Sequence, residues 1–408
     1  MDTTLLIFLL VYLALAIGHL PGFRVDRTGA VVIGALAMVA TGRIGDGAAW
    51  SSIDYGTVAL LFGLMIVSGG FVVSGFYAWL AVRVASLTVG PSTLLALLVA
   101  TGGLLSAVLT NDVVVVAMTP LLVAITLSRG LNPVPFLLGF CFASNTGSAA
   151  TIIGSPQNMI AAQALGLSFN GFLAATLLPA LLSLPIVWSV IAWLYRGRWT
   201  LSAPAAADAV ATPPLDRVET AKAALVALAV VTAFVVTDWR HDLVALAAGA
   251  IMLLNRSIAS KDVLGTVDGG LLLLMMGLFV VNAAFAATGL PQKAVADLAA
   301  AGLDLGNPLT LLGVASVISN IVGNNPTVML LVPFLSHGTN PTAIGAALSL
   351  GTGFSSNLVI FGSLAGIIVV EQAAARGIRI GAAEFCRAGV PVTLLCLLLA
   401  AVWIGFAV

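Results

Sequence analysis

Residues 57–78, TVALLFGLMIVSGGFVVSGFYA, carry no charged side chain over a length that crosses the ~30 Å hydrocarbon core of a bilayer as one helix. A helix on a water-soluble domain needs a polar face, and this run has none. Comparable runs recur along the chain, at about 3–20, 28–42, 92–128, 133–165 and 170–195, then 222–237, 242–255, 268–289, 307–336, 341–374 and 389–407. Only 8% of the 408 residues are charged and 60% are hydrophobic, against about a quarter charged in a soluble domain. No stretch remains that could build a sizeable soluble domain, so the expected class is an all-α polytopic membrane protein surrounded by lipid. The run at 3–20 follows Met1-Asp2 without a basic segment and is succeeded by many similar runs. It reads as the first span, with a cleaved signal peptide as the alternative. Net charge is zero, which gives no reason to expect a nucleic-acid partner. Cys141, Cys386 and Cys396 lie scattered in apolar surroundings and read as packing residues.

Internal comparison divides the chain in two. DYGTVALLFGLMIVSGGFVVSGF, from Asp54, aligns without gaps on DGGLLLLMMGLFVVNAAFAATGL, from Asp268, matching Gly63 with Gly277 and Gly75 with Gly289. TNDVVVVAMTP, from Thr110, aligns on GNNPTVMLLVP, from Gly323, and IIGSPQNMIAAQA on IFGSLAGIIVVEQA over the shared Gly-Ser. Three blocks in one order describe an internal repeat, a common construction of transporters. The first repeat is placed at 1–195 and the second at 222–408. The Pro-, Ala- and charge-containing stretch 196–221 is read as a cytoplasmic linker.

Each half contains a pair of short apolar segments meeting at a polar tip, at about 92–128 and 307–336. If each pair enters and leaves on one side, thirteen of the sixteen Lys and Arg fall in cytoplasmic loops, Arg24 and Arg27 among them. Only Arg43, Arg240 and Lys293 fall outside, which is the bias expected of cytoplasmic loops. Five spans and one re-entrant hairpin per half then follow, with the second half inverted relative to the first.

Polar groups at bilayer depth must be buried in protein or line a cavity, because hydrocarbon satisfies no hydrogen bond. Four clusters meet that description: Thr110-Asn111-Asp112 and Asn324-Asn325 with Thr327 at the two tips, and two further sets in the partner spans. Those sets are Ser144, Asn145, Thr146, Ser155 and Asn158 in the first half, and Ser355, Ser356, Asn357 and Ser363 in the second. Small residues and amides also serve as helix-packing contacts, but packing alone does not require the same clusters at matching places in both halves. Short helices that begin at a tip or after Pro156 offer free N–H groups to an anion, and Asn, Ser and Thr oxygens suit a small hard cation such as sodium. The carboxyl of Asp112 is the group expected to couple transport to protons or cations, since intramembrane carboxylates usually line ion routes. Its counterpart Asn325 cannot titrate. Glu371 is expected to pair with Arg376 or Arg379 at the membrane surface, and Asp54 and Asp268 to cap helices. His19, His241 and His337 fall in loops or at span ends. Nothing matches G-x-S-x-G, H-E-x-x-H, a Walker A loop or paired cysteines, so neither an enzyme nor an ATP-driven pump is expected, and no cofactor or metal centre is called for.

The segments SAVLTNDVVVVAMTPLL, SNTGSAATIIGSPQNMIAAQALGLSFNGFLA and SSNLVIFGSLAGIIVVEQAAARGIRIGAAEFCRAGVPVTLL resemble the ion transporter superfamily. That superfamily includes arsenite permeases, NhaD-type sodium/proton antiporters, citrate-transporter-like permeases and divalent anion:sodium symporters. The likeness extends over nearly the whole chain and is nearest to the short arsenite-permease and citrate-transporter-like members. It implies a homodimer of scaffold and transport domains working as an elevator in the bacterial inner membrane. The symporter branch carries a Ser-Asn-Thr motif at each tip, and here only the central asparagine, Asn111 or Asn324, is kept in both. The function expected is secondary transport of a small anion or oxyacid coupled to protons or sodium. A sodium/proton antiporter without an anionic substrate is the alternative, and a passive channel suits the inverted, broken helices least.

Overall fold

The computed structural model describes residues 2–20, 22–201, 214–335 and 340–408, and all regular elements among them are helical. Seven helices among the described residues are long and apolar enough to cross a membrane. Leucines, valines and aromatics such as Leu178, Leu394, Leu398 and Phe406 cover outward faces, as contact with hydrocarbon requires.

Matching residues build matching elements in the two halves. The Asp54 carboxylate accepts from the Thr57 N–H at 3.1 Å to cap Tyr55–Val73, and Asp268 accepts from Leu271 N–H at 2.9 Å to cap Gly269–Ala286. Past those helices, Gly75 and Gly289 both take φ 74°, a left-handed conformation that favours glycine, and turn the chain into Phe76–Ala85 and Leu290–Ala300. The span read as 57–78 is therefore two helices, split at a turn that hydropathy alone does not mark. The helix expected at about 222–237 begins earlier, at Arg217, because Asp216 accepts from the Val218 and Glu219 N–H groups and caps it. The centre of the linker, 202–213, and His337 lie outside the described residues.

One layer of the molecule exchanges helices between halves. Tyr55–Val73 lies along His241–Leu253, and Gly269–Ala286 lies along Arg27–Ala40. Each crossing is made at one of the aligned glycines. A Cβ on Gly63 would run into the Ala245 carbonyl, and one on Gly277 would sit 2.8 Å from Val31 Cγ1. Val31 and Ala245 are themselves 214 positions apart, the same offset as Gly63 and Gly277.

The other layer holds the hairpins. Pro91–Val108 and Asn111–Ser128 form the first, with Pro91–Val108 packed on Pro133–Ser148. Pro308–Val322 and Asn324–Leu331 form the second, with Pro308–Val322 packed on Pro341–Ser355. The spans read as 133–165 and 341–374 are each broken, resuming at Pro156–Leu165 and Leu364–Ala374. Long helices Phe169–Leu194 and Ala382–Ala407 pack against one another behind them.

Candidate functional site

The first hairpin turns at Leu109-Thr110 against the break in its partner span. Thr110 N–H donates to Ser68 Oγ at 3.2 Å, and Asn111 N–H donates to the Gly154 carbonyl at 3.0 Å. That break exists because Gly154-Ser155-Pro156 interrupts the helical ladder, and Pro156, at the first position of the new helix, needs no N–H partner. Asn158 repairs the exposed carbonyls: its Nδ2 donates to Ser148 O at 2.9 Å and Thr151 O at 2.8 Å, while its Oδ1 accepts from Ser349 of the other half at 2.8 Å. The second hairpin turns on Gly323, at φ 94° and ψ 163°. Thr327 Oγ1 donates back to the Gly323 carbonyl at 2.8 Å, and Asn324 Nδ2 donates to Ser356 Oγ at 2.7 Å.

Each hairpin is tied to its broken helix by a buried serine pair. Ser106 and Ser144 oxygens are 2.7 Å apart, and Ser319 and Ser355 oxygens 2.8 Å. Ser106 and Ser319 were not singled out from the sequence, although they hold equivalent places in the two hairpins. Replacing either serine of the first pair with alanine should lower stability by about 1 kcal/mol. The Ser106→Ala/Ser144→Ala double variant should cost clearly less than the sum of the singles, measured by unfolding in detergent, because both single changes remove one shared bond.

The two breaks meet across the halves. Asn145 Nδ2 donates to Asn357 Oδ1 at 2.9 Å and to Ser363 Oγ at 3.1 Å, and Ser363 also caps the Gly366 N–H at 2.9 Å. Beside this junction both tips open onto one cavity of about 100 Å³, whose polar walls are Asn111, Asp112, Asn324, Asn325, Gln157 and Ser363. Arg27 closes it from the first layer. Sequence reading had counted Arg27 as a loop charge. It stands instead in the first turn of Arg27–Ala40, with Nε donating to the Leu15 carbonyl at 3.0 Å.

Apart from Asp112 on the cavity wall and Ser363, which accepts from Asn145 and the Gly366 N–H, the expected site residues divide into two groups. Ser144, Thr146, Asn158, Thr327, Ser355, Ser356 and Asn357 spend their side chains on internal hydrogen bonds. Six others present buried oxygens without a hydrogen-bond partner: Thr110, Asn111, Asn145, Ser155, Asn324 and Asn325. An unsatisfied buried polar atom costs about 1–3 kcal/mol, and three of these six, Asn111, Asn324 and Asn325, line the cavity that the two tips share. The ion pair expected of Glu371 is not formed among the described residues; Arg376 donates to the Gln372 carbonyl at 3.0 Å instead, and Glu371 is exposed. Cys141 and Cys396 are buried and Cys386 partly so, all as free thiols.

A family model for citrate transporters matches residues 8–341. The chain belongs to that family. An "uncharacterized transporter" of Mycobacterium tuberculosis is 31% identical over 406 residues, covering 93% of this chain and 94% of its own length. The magnetosome protein MamN of Magnetospirillum gryphiswaldense is 27% identical, covering 92% and 91%. Among solved structures, the YdaH transporter of Alcanivorax borkumensis superposes with a TM-score of 0.62 at 17% identity, over 98% of this chain and 96% of that one, a likeness of fold. The protein is therefore a member of the ion transporter superfamily, a multi-pass secondary transporter of the bacterial inner membrane and not an enzyme.

Proposed function

We propose that this chain carries a small anion or oxyacid, arsenite-like, inorganic or a small carboxylate, and couples its movement to protons or sodium through Asp112. The observation that carries this reading is the convergence of both hairpin tips, Asp112 and unpartnered amide oxygens on one cavity. At about 100 Å³ the cavity falls well below the roughly 300–1,000 Å³ of sites for drug-sized ligands. A single ion or compact oxyacid suits that space better than citrate.

The halves 1–195 and 222–408 act in this reading as inverted repeats, the hairpin layer moving as an elevator along the exchanged-helix layer in each protomer of a homodimer. The level of the site supports such a movement. Ser68, which holds the first tip, lies five residues before the end of Tyr55–Val73, and the cavity-lining Leu271 lies two residues past the start of Gly269–Ala286. Both are ends that the charge bias assigns to the cytoplasm. The opposite end holds a cavity of about 830 Å³ between the layers, lined by Asn282, Phe279, Ile160 and Met329. Asn282 is the repeat counterpart of Ser68, and it bonds Tyr12 at 2.9 Å rather than a tip. Exchanging the two halves' roles would carry the second tip from the level of Leu271 and Leu274 to that of Asn282, eight to eleven residues along the helix. At 1.5 Å per residue that is a stroke of about 12–16 Å.

A sodium/proton antiporter is the second reading, favoured by the same oxygens acting as cation ligands beside a titratable carboxyl. Purified protein in liposomes, under imposed proton or sodium gradients, with arsenite, phosphate, sulfate, silicate and di- and tricarboxylates offered in turn, separates the two. Gradient-dependent uptake of one anion is the expected result. Sodium/proton exchange that proceeds at full rate with no anion present, and no uptake of any anion, would overturn it in favour of the antiporter.

A further inference from the structure

Arg27 caps the last turn of Thr3–Ile17 with only part of its guanidinium. Its Nε is fixed on the Leu15 carbonyl at 3.0 Å, while one terminal nitrogen, Nη2, is buried with no hydrogen-bond partner. Its sequence neighbour Asp26 is turned to its own helix, accepting from the Gly29 N–H at 2.8 Å. No carboxylate among the described residues reaches Arg27 within 4.0 Å. A buried guanidinium nitrogen with no hydrogen-bond partner and no contact ion pair is costly to keep, and its planar fork matches the oxygens of an oxyanion.

We propose that Arg27 is a specificity residue: it pairs with the deprotonated oxygen of a small oxyanion held between the two hairpin tips. Across the cavity lie the first turns of Asn111–Ser128 and Asn324–Leu331, whose N–H groups add favourable potential for an anion. The unpartnered Oδ1 atoms of Asn111, Asn324 and Asn325 are acceptors, so they match hydrogen-bond donors on the same solute. Arg27 on one side and amide oxygens on the other define the ligand class: a monovalent oxyanion that retains at least one O–H group. A fully deprotonated anion lacks donors for the amides, and a neutral oxyacid lacks the charge for Arg27.

Arg27 also has a directional consequence. It opens Arg27–Ala40, which packs on Gly269–Ala286 in the exchanged-helix layer, whereas the tips belong to the hairpin layer. Arg27 therefore meets the solute only when the hairpin layer stands at the level seen here, and it acts on binding from one face of the membrane.

This inference rests on the anion reading above, and the test keeps the two apart. Binding of sodium phosphate, sodium sulfate and sodium citrate to the purified full chain is measured by calorimetry near pH 6, where phosphate is mainly the singly charged, hydroxylated form. Wild type is compared with Arg27→Gln and Arg27→Lys, each checked for a monodisperse elution profile. Phosphate should bind wild type in preference to sulfate and citrate, with affinity falling at least tenfold in Arg27→Gln and by a smaller factor in Arg27→Lys. In liposomes, Arg27→Lys should raise KM at the face where Arg27 lies at least threefold more than at the opposite face. If none of the three anions binds wild type, this inference is refuted, while the anion reading stands or falls on the wider liposome panel. If phosphate binds wild type and both variants equally, or KM rises equally at both faces, the anion reading stands and the role of Arg27 is refuted.

Discussion

Asp112→Asn should abolish accumulation driven by a proton gradient, lowering it at least tenfold, while exchange of substrate down its own gradient continues. Asp112 is the second residue of Asn111–Ser128, in the first turn, where the helix dipole favours a negative charge. It is also a wall of the cavity between the tips, so whether it carries a proton changes the net charge of that cavity. Asn325 occupies the matching position of the second tip and has no proton to exchange. The variant gives both tips an asparagine at this position and leaves size nearly unchanged while exchanging one carboxylate oxygen for an NH2 group, so its effect reports the titratable group rather than packing. One other charged group bears on the outcome, Arg27 on the same cavity. The check is uptake in proteoliposomes against external pH, with and without an imposed gradient. Wild-type pH dependence retained in Asp112→Asn would remove Asp112 from coupling, whatever the substrate proves to be.

Much of this arrangement is written in local residue choices, and those parts are legible in the sequence. Asp54 and Asp268 cap their helices because an aspartate before an apolar run has a nearby N–H to accept from. Gly75 and Gly289 align because both turns need a left-handed residue. Gly63 and Gly277 align because both mark a crossing too tight for a side chain, although nothing in the sequence says that the partner comes from the other half. Other features depend on what an element packs against, and there the letters are ambiguous. An arginine after a span reads as a loop charge, so the placement of Arg27 on the cavity is invisible until the neighbouring helices are in place. An asparagine beside a helix break can line a cavity, as Asn111 does, or restore the broken ladder, as Asn158 does. Ser68 was passed over as one hydroxyl in an apolar run. Its alignment with Asn282, placing polar residues at matching depth in two otherwise apolar helices, was the signal available to find it.

Gly147→Ala should be among the most damaging single changes in the chain, even though it adds one methyl group to a residue that lines neither the cavity between the tips nor the larger one between the layers. Gly147 belongs to the Ser144–Ser148 cluster, where small residues serve either a solute or close packing, and here packing decides its role. A Cβ at Gly147 would lie 2.5 Å from both the Cα and the carbonyl oxygen of Gly103 in the first arm of the hairpin. Those are backbone atoms, so no rotamer change can make room; Pro91–Val108 and Pro133–Ser148 would have to separate. Separation strains the buried Ser106–Ser144 pair one turn away, and with it the bond from Asn111 N–H to the Gly154 carbonyl that sets the tip. Overpacking typically costs about 1–3 kcal/mol, and the loss of a buried hydroxyl pair adds about 1 kcal/mol. Gly313→Ala is the matched control. Gly313 lies in the corresponding arm of the second hairpin, aligned with Ala100 of the first, and has nothing within 4 Å of an added Cβ. There alanine should be neutral or stabilising by up to about 1 kcal/mol, because glycine inside a helix costs backbone entropy. Thermal unfolding in detergent should therefore shift down for Gly147→Ala and hold or rise for Gly313→Ala, with transport lost only in the first. Equal stability of both variants would mean that the two helices can part without disturbing the tip, and would remove the glycine contact as the reason the first hairpin stands where it does.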